Sequence, residues 1–290
     1  MQDGFQGLAR RMLSPGDAKL AGALVREAGW NQVDADWRLM IETGEAVGLF
    51  TQRGTPEQLV ATALSLPHGP DFAWISMVLV SAAWRRRGLA TTLLRDRIDA
   101  VVGRGATPML DATEDGREVY LPLGFRDLYP ISRLQVDELP HLARPPHRAT
   151  PISELDLETL RTWDADRFGA DRCPVLQAIR ERAPERAWIL RHAGGDIAGY
   201  VLGRDGLNAS QIGPLMAEDT ESPRELLEAA MTDLAGPVFI DVPDRHGELT
   251  DWLGGLGFTR QRGFVRMAHE RDQPFDNPDA TFVIAGPELG

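Results

Sequence analysis

Residues 74–94 read WISMVLVSAAWRRRGLATTLL: an apolar run, three arginines, a glycine and the start of a helix. A strand ends at Val80 and a turn follows. Arg85-Arg86-Arg87-Gly88-Leu89-Ala90 then leads into a helix whose Leu89, Leu93, Leu94, Ile98, Val101 and Val102 recur at helical spacing. The physical logic is anion binding. The first backbone N–H groups of a helix lack intrahelical acceptors, and the macrodipole puts partial positive charge there. Gly88 has no Cβ, so a diphosphate can approach the backbone, and Ala90 is the next smallest choice at a crowded point. Arginine side chains add charge-assisted hydrogen bonds, and Thr91 and Thr92 offer hydroxyls. The stretch is neither a P-loop, which ends Gly-Lys-Ser/Thr, nor a G-x-G-x-x-G dinucleotide loop. Alone, the arginines would also suit a solvated helix start, so the context decides.

Upstream, Arg10–Leu13 reads as a short strand, and Pro15 and Asp17 open a helix that Gly29 ends. A helix over Asp34–Thr43 and strands over Ala46–Arg53, Leu59–Leu66 and Phe72–Val80 follow, separated by Gly54, Pro56 and Pro67–Pro70. Downstream come a buried strand Pro108–Ala112, a short helix near Asp115–Leu121, and strand material from Gly124 to Val136. Residues 139–150 carry three prolines and read as a linker. The second half then begins again. Each half has a strand, a helix, a strand ending in aspartate (Asp111, Asp241), a short helix and Leu-Gly-Phe (123–125 and 256–258). The expectation is two domains, residues 1–138 and 151–290, of α/β class with mixed sheets.

Bulk properties narrow the function. A chain of 290 residues, 43% hydrophobic and 26% charged, suits a globular protein with sizeable cores in two domains. No apolar run reaches membrane-spanning length and the first residues lack a signal-peptide core, so the cytoplasm is expected, with no membrane partner. Cys173 is the single cysteine, so no intrachain disulfide forms, and no Cys/His pattern marks it as a nucleophile. The six histidines show no metal-ligand spacing, so no metal is expected. A net charge of −12 argues against nucleic acid and faintly favours cationic acceptors such as amines, although solubility explains it equally.

Val80–Ala90, with Arg85-x-x-Gly88-x-Ala90, resembles the acyl-CoA pyrophosphate loop of the GNAT (GCN5-related N-acetyltransferase) superfamily. Leu110–Phe125, LDATEDGREVYLPLGF, resembles that superfamily's next motif, which ends Tyr-x-x-x-Gly-Phe. The resemblance covers roughly residues 10–136. Ala90 replaces the second loop glycine, and Thr113 stands where an asparagine is frequent, seven residues before the tyrosine. It implies that the backbone of Met77, Val78, Leu79 and Val80 pairs with the pantetheine arm. Arg85, Arg86, Arg87, Gly88, Leu89, Ala90 and Thr91 then form the diphosphate site, with Thr113 a further CoA contact. Tyr120 holds the family's general-acid position; a packing role with a wet hydroxyl is the alternative.

Acyl transfer from a thioester to an amine needs an uncharged nucleophile, a polarised carbonyl and a proton for the thiolate. A main-chain N–H near Val78 or Leu79 could polarise the carbonyl. No acidic residue lies within Trp74–Val80; Asp71, Glu42, Glu45 or a water chain stay open, and no base is assigned. Residues 150–290 resemble a degenerate GNAT module, with Glu218, Asp219 and Glu221 where phosphates would need positive charge. Such a module would wall the acceptor pocket or form an oligomer interface, a homodimer included. The expected activity is transfer of an acetyl group from acetyl-CoA to a primary amine on a small molecule. A protein or peptide amine, or a non-catalytic acyl-CoA sensor, are the alternatives.

Overall fold

The computed structural model describes residues 7–51, 57–140 and 148–290. Gly54, Pro56 and most of the 139–150 linker lie outside the described residues. The first half runs β1 (Leu8–Met12), α1 (Ala18–Ala28), α2 (Asp34–Thr43), β2 (Glu45–Thr51), β3 (Leu59–His68), β4 (Phe72–Val80), α3 (Leu89–Val102), β5 (Thr107–Ala112), α4 (Glu114–Tyr120) and β6 (Phe125–Val136). The second runs β7 (Thr150–Pro151), α5 (Leu157–Phe168), α6 (Cys173–Arg182), β8 (Trp188–Arg191), β9 (Ile197–Arg204), β10 (Ser210–Ala217), α7 (Ser222–Met231), β11 (Val238–Pro243), α8 (Gly247–Gly255), β12 (Thr259–His269) and β13 (Thr281–Val283). Local chemistry fixes the ends. Asp36 accepts the Val33 N–H at 2.8 Å to open α2, and Gly29 ends α1 at φ 68°.

Twelve strands form one continuous sheet in the order β1-β2-β3-β4-β5-β12-β6-β11-β10-β9-β8-β7, and β13 pairs with β10. The sheet is mixed: β4/β5 and β10/β11 are parallel, and the other pairs are antiparallel. The two halves exchange strands at its centre. β12, from the second half, lies between β5 and β6, while β6 lies between β12 and β11. On one face α3 covers β3–β5 and α7 covers β8–β10. On the other, α1, α2, α5 and α6 share the largest apolar core with Trp37 and Trp74. No helix among the described residues is long and apolar enough to cross a membrane.

Buried ion pairs stitch the exchange. Arg266 of β12, 1% exposed, donates to both carboxylate oxygens of Asp111 on β5, at 2.9 and 3.0 Å. It also reaches Asp276 at 3.3 Å and stacks 4.5 Å from the Trp74 ring. Burial alone would push the Asp111 carboxyl up; the adjacent guanidinium opposes that. Asp36 of α2 takes ion pairs from Arg182 and Arg204 of the second half, at 2.6 and 3.2 Å. Residues 285–290 run beneath β4: Trp74 Nε1 donates to the Pro287 carbonyl, Ser76 Oγ to that of Glu288, and His68 Nε2 to that of Leu289. Burial, and then the charge of Arg172, lowers the His68 pKa to about 3.

Arg266→Met strands two carboxylates in the core and should cost about 3–5 kcal/mol. That reads as a lower urea midpoint at unchanged slope; an unmoved midpoint would mean the pair does not hold the exchange. His68 is neutral when folded and protonates more readily when unfolded. Its contribution is therefore complete above the ordinary histidine value and lost as pH falls from there toward about 3. His68→Gln should flatten that acid slope in denaturation curves measured across pH.

Candidate active site

β4 carries a bulge. Leu79 faces Thr62 and Ser76 faces Leu64 on β3, so Met77 and Val78 together oppose one residue, Ala63. Met77 sits at φ 53°, a strained value for a side chain with a Cβ, and its carbonyl accepts the Thr62 hydroxyl at 2.8 Å. On its other edge β4 pairs with β5 only over Phe72–Trp74 and Thr107–Met109. Beyond that the strands part, because β5 follows β12 instead. A cavity of about 460 Å³ opens in the resulting V. Ile75–Val78 form one wall and Leu110, Asp111, Thr113 and Tyr120 another. The α1–α2 turn Gly29–Gln32, strands β6, β11 and β12, and Pro287 and Glu288 complete it.

Met77, Val78, Thr113 and Tyr120 therefore meet in one cavity. Thr113 caps α4, its hydroxyl accepting the Gly116 N–H at 3.2 Å. The Tyr120 hydroxyl has no hydrogen-bond partner among the described residues, and burial raises its pKa, so the phenol stays protonated at neutral pH. Val80 and Arg85 to Thr91 lie at the far end of β4 and do not line the cavity, while the Leu79 and Leu89 side chains are core residues. Gly88, at φ 76°, is the N-cap of α3; no side chain caps that helix, and a Cβ at Gly88 would meet nothing within 4 Å. Arg85 Nε folds back onto the Val80 carbonyl at 3.0 Å, and Arg87 onto that of Ala83 at 3.1 Å. Arg86 holds a positive φ of 59°.

The second half has the counterpart of this V, filled. β10 and β11 pair over Ser210–Ile212 and Val238–Ile240 and then part. β13 enters the gap, pairing Val283 with Leu215, and the Ile284 N–H donates to the Asp241 carbonyl at 3.1 Å. A Cβ on Gly213 would lie 2.2 Å from the Ile284 oxygen, so only glycine admits this approach. The N-terminus of α7 is also occupied. Asp219 accepts the Glu221 and Ser222 N–H groups at 2.9 and 2.7 Å, and Glu218 pairs with Arg167 and His192.

Two sequence-family models match, each described as a GNAT acetyltransferase: one over residues 23–125, the other over residues 160–282. The chain is a tandem GNAT protein. An uncharacterized N-acetyltransferase of Bacillus subtilis, YitH, is 23% identical over 256 residues, covering 88% of this chain and 89% of its own. A putative acetyltransferase from Pyrococcus horikoshii superposes with a TM-score of 0.78 at 21% identity, covering 99% of this chain and 97% of that one. A tandem GNAT protein from the clavulanic acid biosynthesis pathway gives 0.59 at 14% identity, covering 90% and 98%. These likenesses agree on the fold. GNAT enzymes draw the acyl group from acetyl-CoA, and this chain is an acyltransferase of that superfamily.

Cavity residues from the second half of the GNAT pair lay beyond the motifs. Glu45 pairs with Arg97 and Arg104, Asp71 lies in the β3–β4 turn, and neither these nor Glu42 line the cavity. The acidic residues that do are Asp111 and Glu288, the latter paired with Arg204. Cys173, half-buried at the start of α6, has its thiol pKa raised by burial, the opposite of a nucleophile's. The α1–α2 turn is pinned to the second half by Asn31. Its Oδ1 accepts the Asn208 and Ala209 N–H groups at 2.9 and 3.0 Å, and its Nδ2 donates to the Ala209 carbonyl. Asn31→Ala strands these buried groups and should cost about 1–3 kcal/mol. Faster hydrogen exchange at Asn208 and Ala209 would accompany it; unchanged exchange would mean the turn is held otherwise.

Proposed function

We propose that residues 1–138 form the CoA-binding GNAT domain, that 139–150 link it to a degenerate GNAT-like domain of residues 151–290, and that the enzyme transfers an acetyl group from acetyl-CoA to a primary amine on a small molecule. The observation that carries this reading is the contrast between the two gaps. The V between β4 and β5 is open, whereas that between β10 and β11 is filled by β13. The bare N-terminus of α3 against the self-capped N-terminus of α7 supports the same assignment. Enclosure of the cavity by the α1–α2 turn and by Pro287 and Glu288 favours a small acceptor over a protein surface.

In this reading the free edge of Met77–Val80 pairs with the pantetheine arm, and Thr113 meets it across the V. The backbone of residues 86–90 holds the diphosphate at the helix start, with Arg85, Arg86, Arg87 and Thr91 around it. The amine nitrogen attacks the thioester carbon, a main-chain N–H near Val78 or Leu79 stabilises the oxyanion, and the C–S bond breaks. Tyr120 gives its proton to the departing thiolate, and burial keeps that proton available at neutral pH. Both cavity carboxylates are held by arginines, which is the one feature favouring a non-catalytic acyl-CoA sensor.

Tyr120→Phe should lower turnover about 100-fold or more while acetyl-CoA affinity by calorimetry is retained. Undiminished turnover would remove the acid role. Gly88→Glu brings a side chain and a negative charge to the open helix start and should abolish acetyl-CoA binding. Unchanged affinity would place the diphosphate elsewhere, and binding without thiol release from any amine would favour the sensor.

A further inference from the structure

The cavity wall carries four charged residues: Asp111, Glu288, Arg133 and Arg262. Three are neutralised within the protein. Asp111 is held by Arg266, Glu288 by Arg204, and Arg133 by Asp241 through two bonds of 2.7 Å. Arg262 has no ion pair or hydrogen bond among the described residues. It is exposed at the cavity wall and stands directly across the β12/β6 pair from Arg133, a like-charge placement that a bound anion would relieve. Asp241 acts on Arg262 only at a distance, since its side-chain hydrogen bonds go to Arg133 and Gln211. Partial burial and then the charge of Arg133 lower the Arg262 pKa, and the charge of Asp241 opposes them.

Placement gives this unbalanced charge a use. Arg262 and Phe264 share a face of β12, by strand alternation, and both line the cavity. Arg262 lies three residues, roughly 10 Å, beyond Val265, which pairs with Ala112 at the end of β5. The V and Tyr120 are at that end. By the same alternation Arg266 shares the face of Arg262 and stacks on Trp74 in the α1–α2 core, so the arginine is on the face of the sheet opposite α3. We propose that Arg262 binds an anionic group, carboxylate or phosphate, on the acceptor, which is therefore an amine bearing an acid group. Arg262 is thus a specificity-determining residue. This inference rests on the reading that the first half transfers an acetyl group to a small amine.

The test is thiol release from saturating acetyl-CoA over matched amines: phenylalanine with phenylethylamine, phosphoethanolamine with ethanolamine, and glucosamine 6-phosphate with glucosamine. The acid-bearing member of at least one pair should have the higher kcat/KM, by roughly 10- to 100-fold. Whether it is the amino acid or a phosphorylated amine identifies the anion. Arg262→Gln should erase that preference through acceptor KM, leaving kcat and acetyl-CoA KM unchanged and the melting temperature no lower. Arg262→Lys should restore part of it. Equal or better use of the neutral members, or an Arg262→Gln variant that keeps the preference, overturns the inference and leaves the acetyltransferase reading standing. Absence of thiol release with every amine, despite acetyl-CoA binding, sinks that reading and this inference with it.

Discussion

Arg266 belongs to the second half of the chain and binds Asp111 of the first, and the architecture depends on that crossing. To make it, β12 inserts between β5 and β6, so each half completes its sheet with the other's terminal strand. Desolvating a guanidinium and two carboxylates costs several kcal/mol per ion, which only close geometry and further hydrogen bonds repay. Here the repayment is visible: a bidentate bond to Asp111, a second carboxylate at Asp276, and the Tyr129 hydroxyl, which itself donates to Asp276 at 2.5 Å. Any other strand in that slot would leave Asp111 charged and alone. The pair is thus as much a determinant of register as a source of stability.

The exchange also sets where chemistry can occur. β5 follows β12 and leaves β4, and the bulge at Met77 bends β4 the other way, so the gap between them is a product of both halves. The second half makes the same gap by the same parallel pairing and then spends it on packing. β13 closes the ladder, Gly213 permits the approach, and Asp219 takes the amides that a phosphate would otherwise need. Two similar folds, one open and one sealed, share a sheet. The sealed one supplies walls.

Much of this was legible beforehand because its signals are local. The arginines and Gly88 before α3, the helical spacing of Leu89–Val102 and the Tyr120–Phe125 motif each report on a few consecutive residues. So did the acidic replacement of the second loop, whose Asp219 caps its own helix. The strand exchange was not legible, since periodicity describes which face a strand buries and says nothing of its neighbours. The repeated Leu-Gly-Phe at 123–125 and 256–258 was the available clue, for it marks β6 and β12 as equivalents in position. β13 escaped because three residues carry too little pattern.

A net charge of −12 faintly favours cationic acceptors, while of the four charged residues on the cavity wall only Arg262 has no ion pair among the described residues. The two statements concern different distances. Net charge sets the long-range field that bears on encounter, which salt screens over a Debye length of about 8 Å. At the cavity wall the exposed Arg262 guanidinium acts at contact distance, where a charge-assisted bond to a bound anion outweighs distant surface carboxylates. An acceptor carrying both an amine and an acid group meets both conditions, since its ammonium offsets part or all of its negative charge in solution and its anion is bound only after entry. On the proposed reading the acidic surface therefore need not repel an acceptor that Arg262 holds.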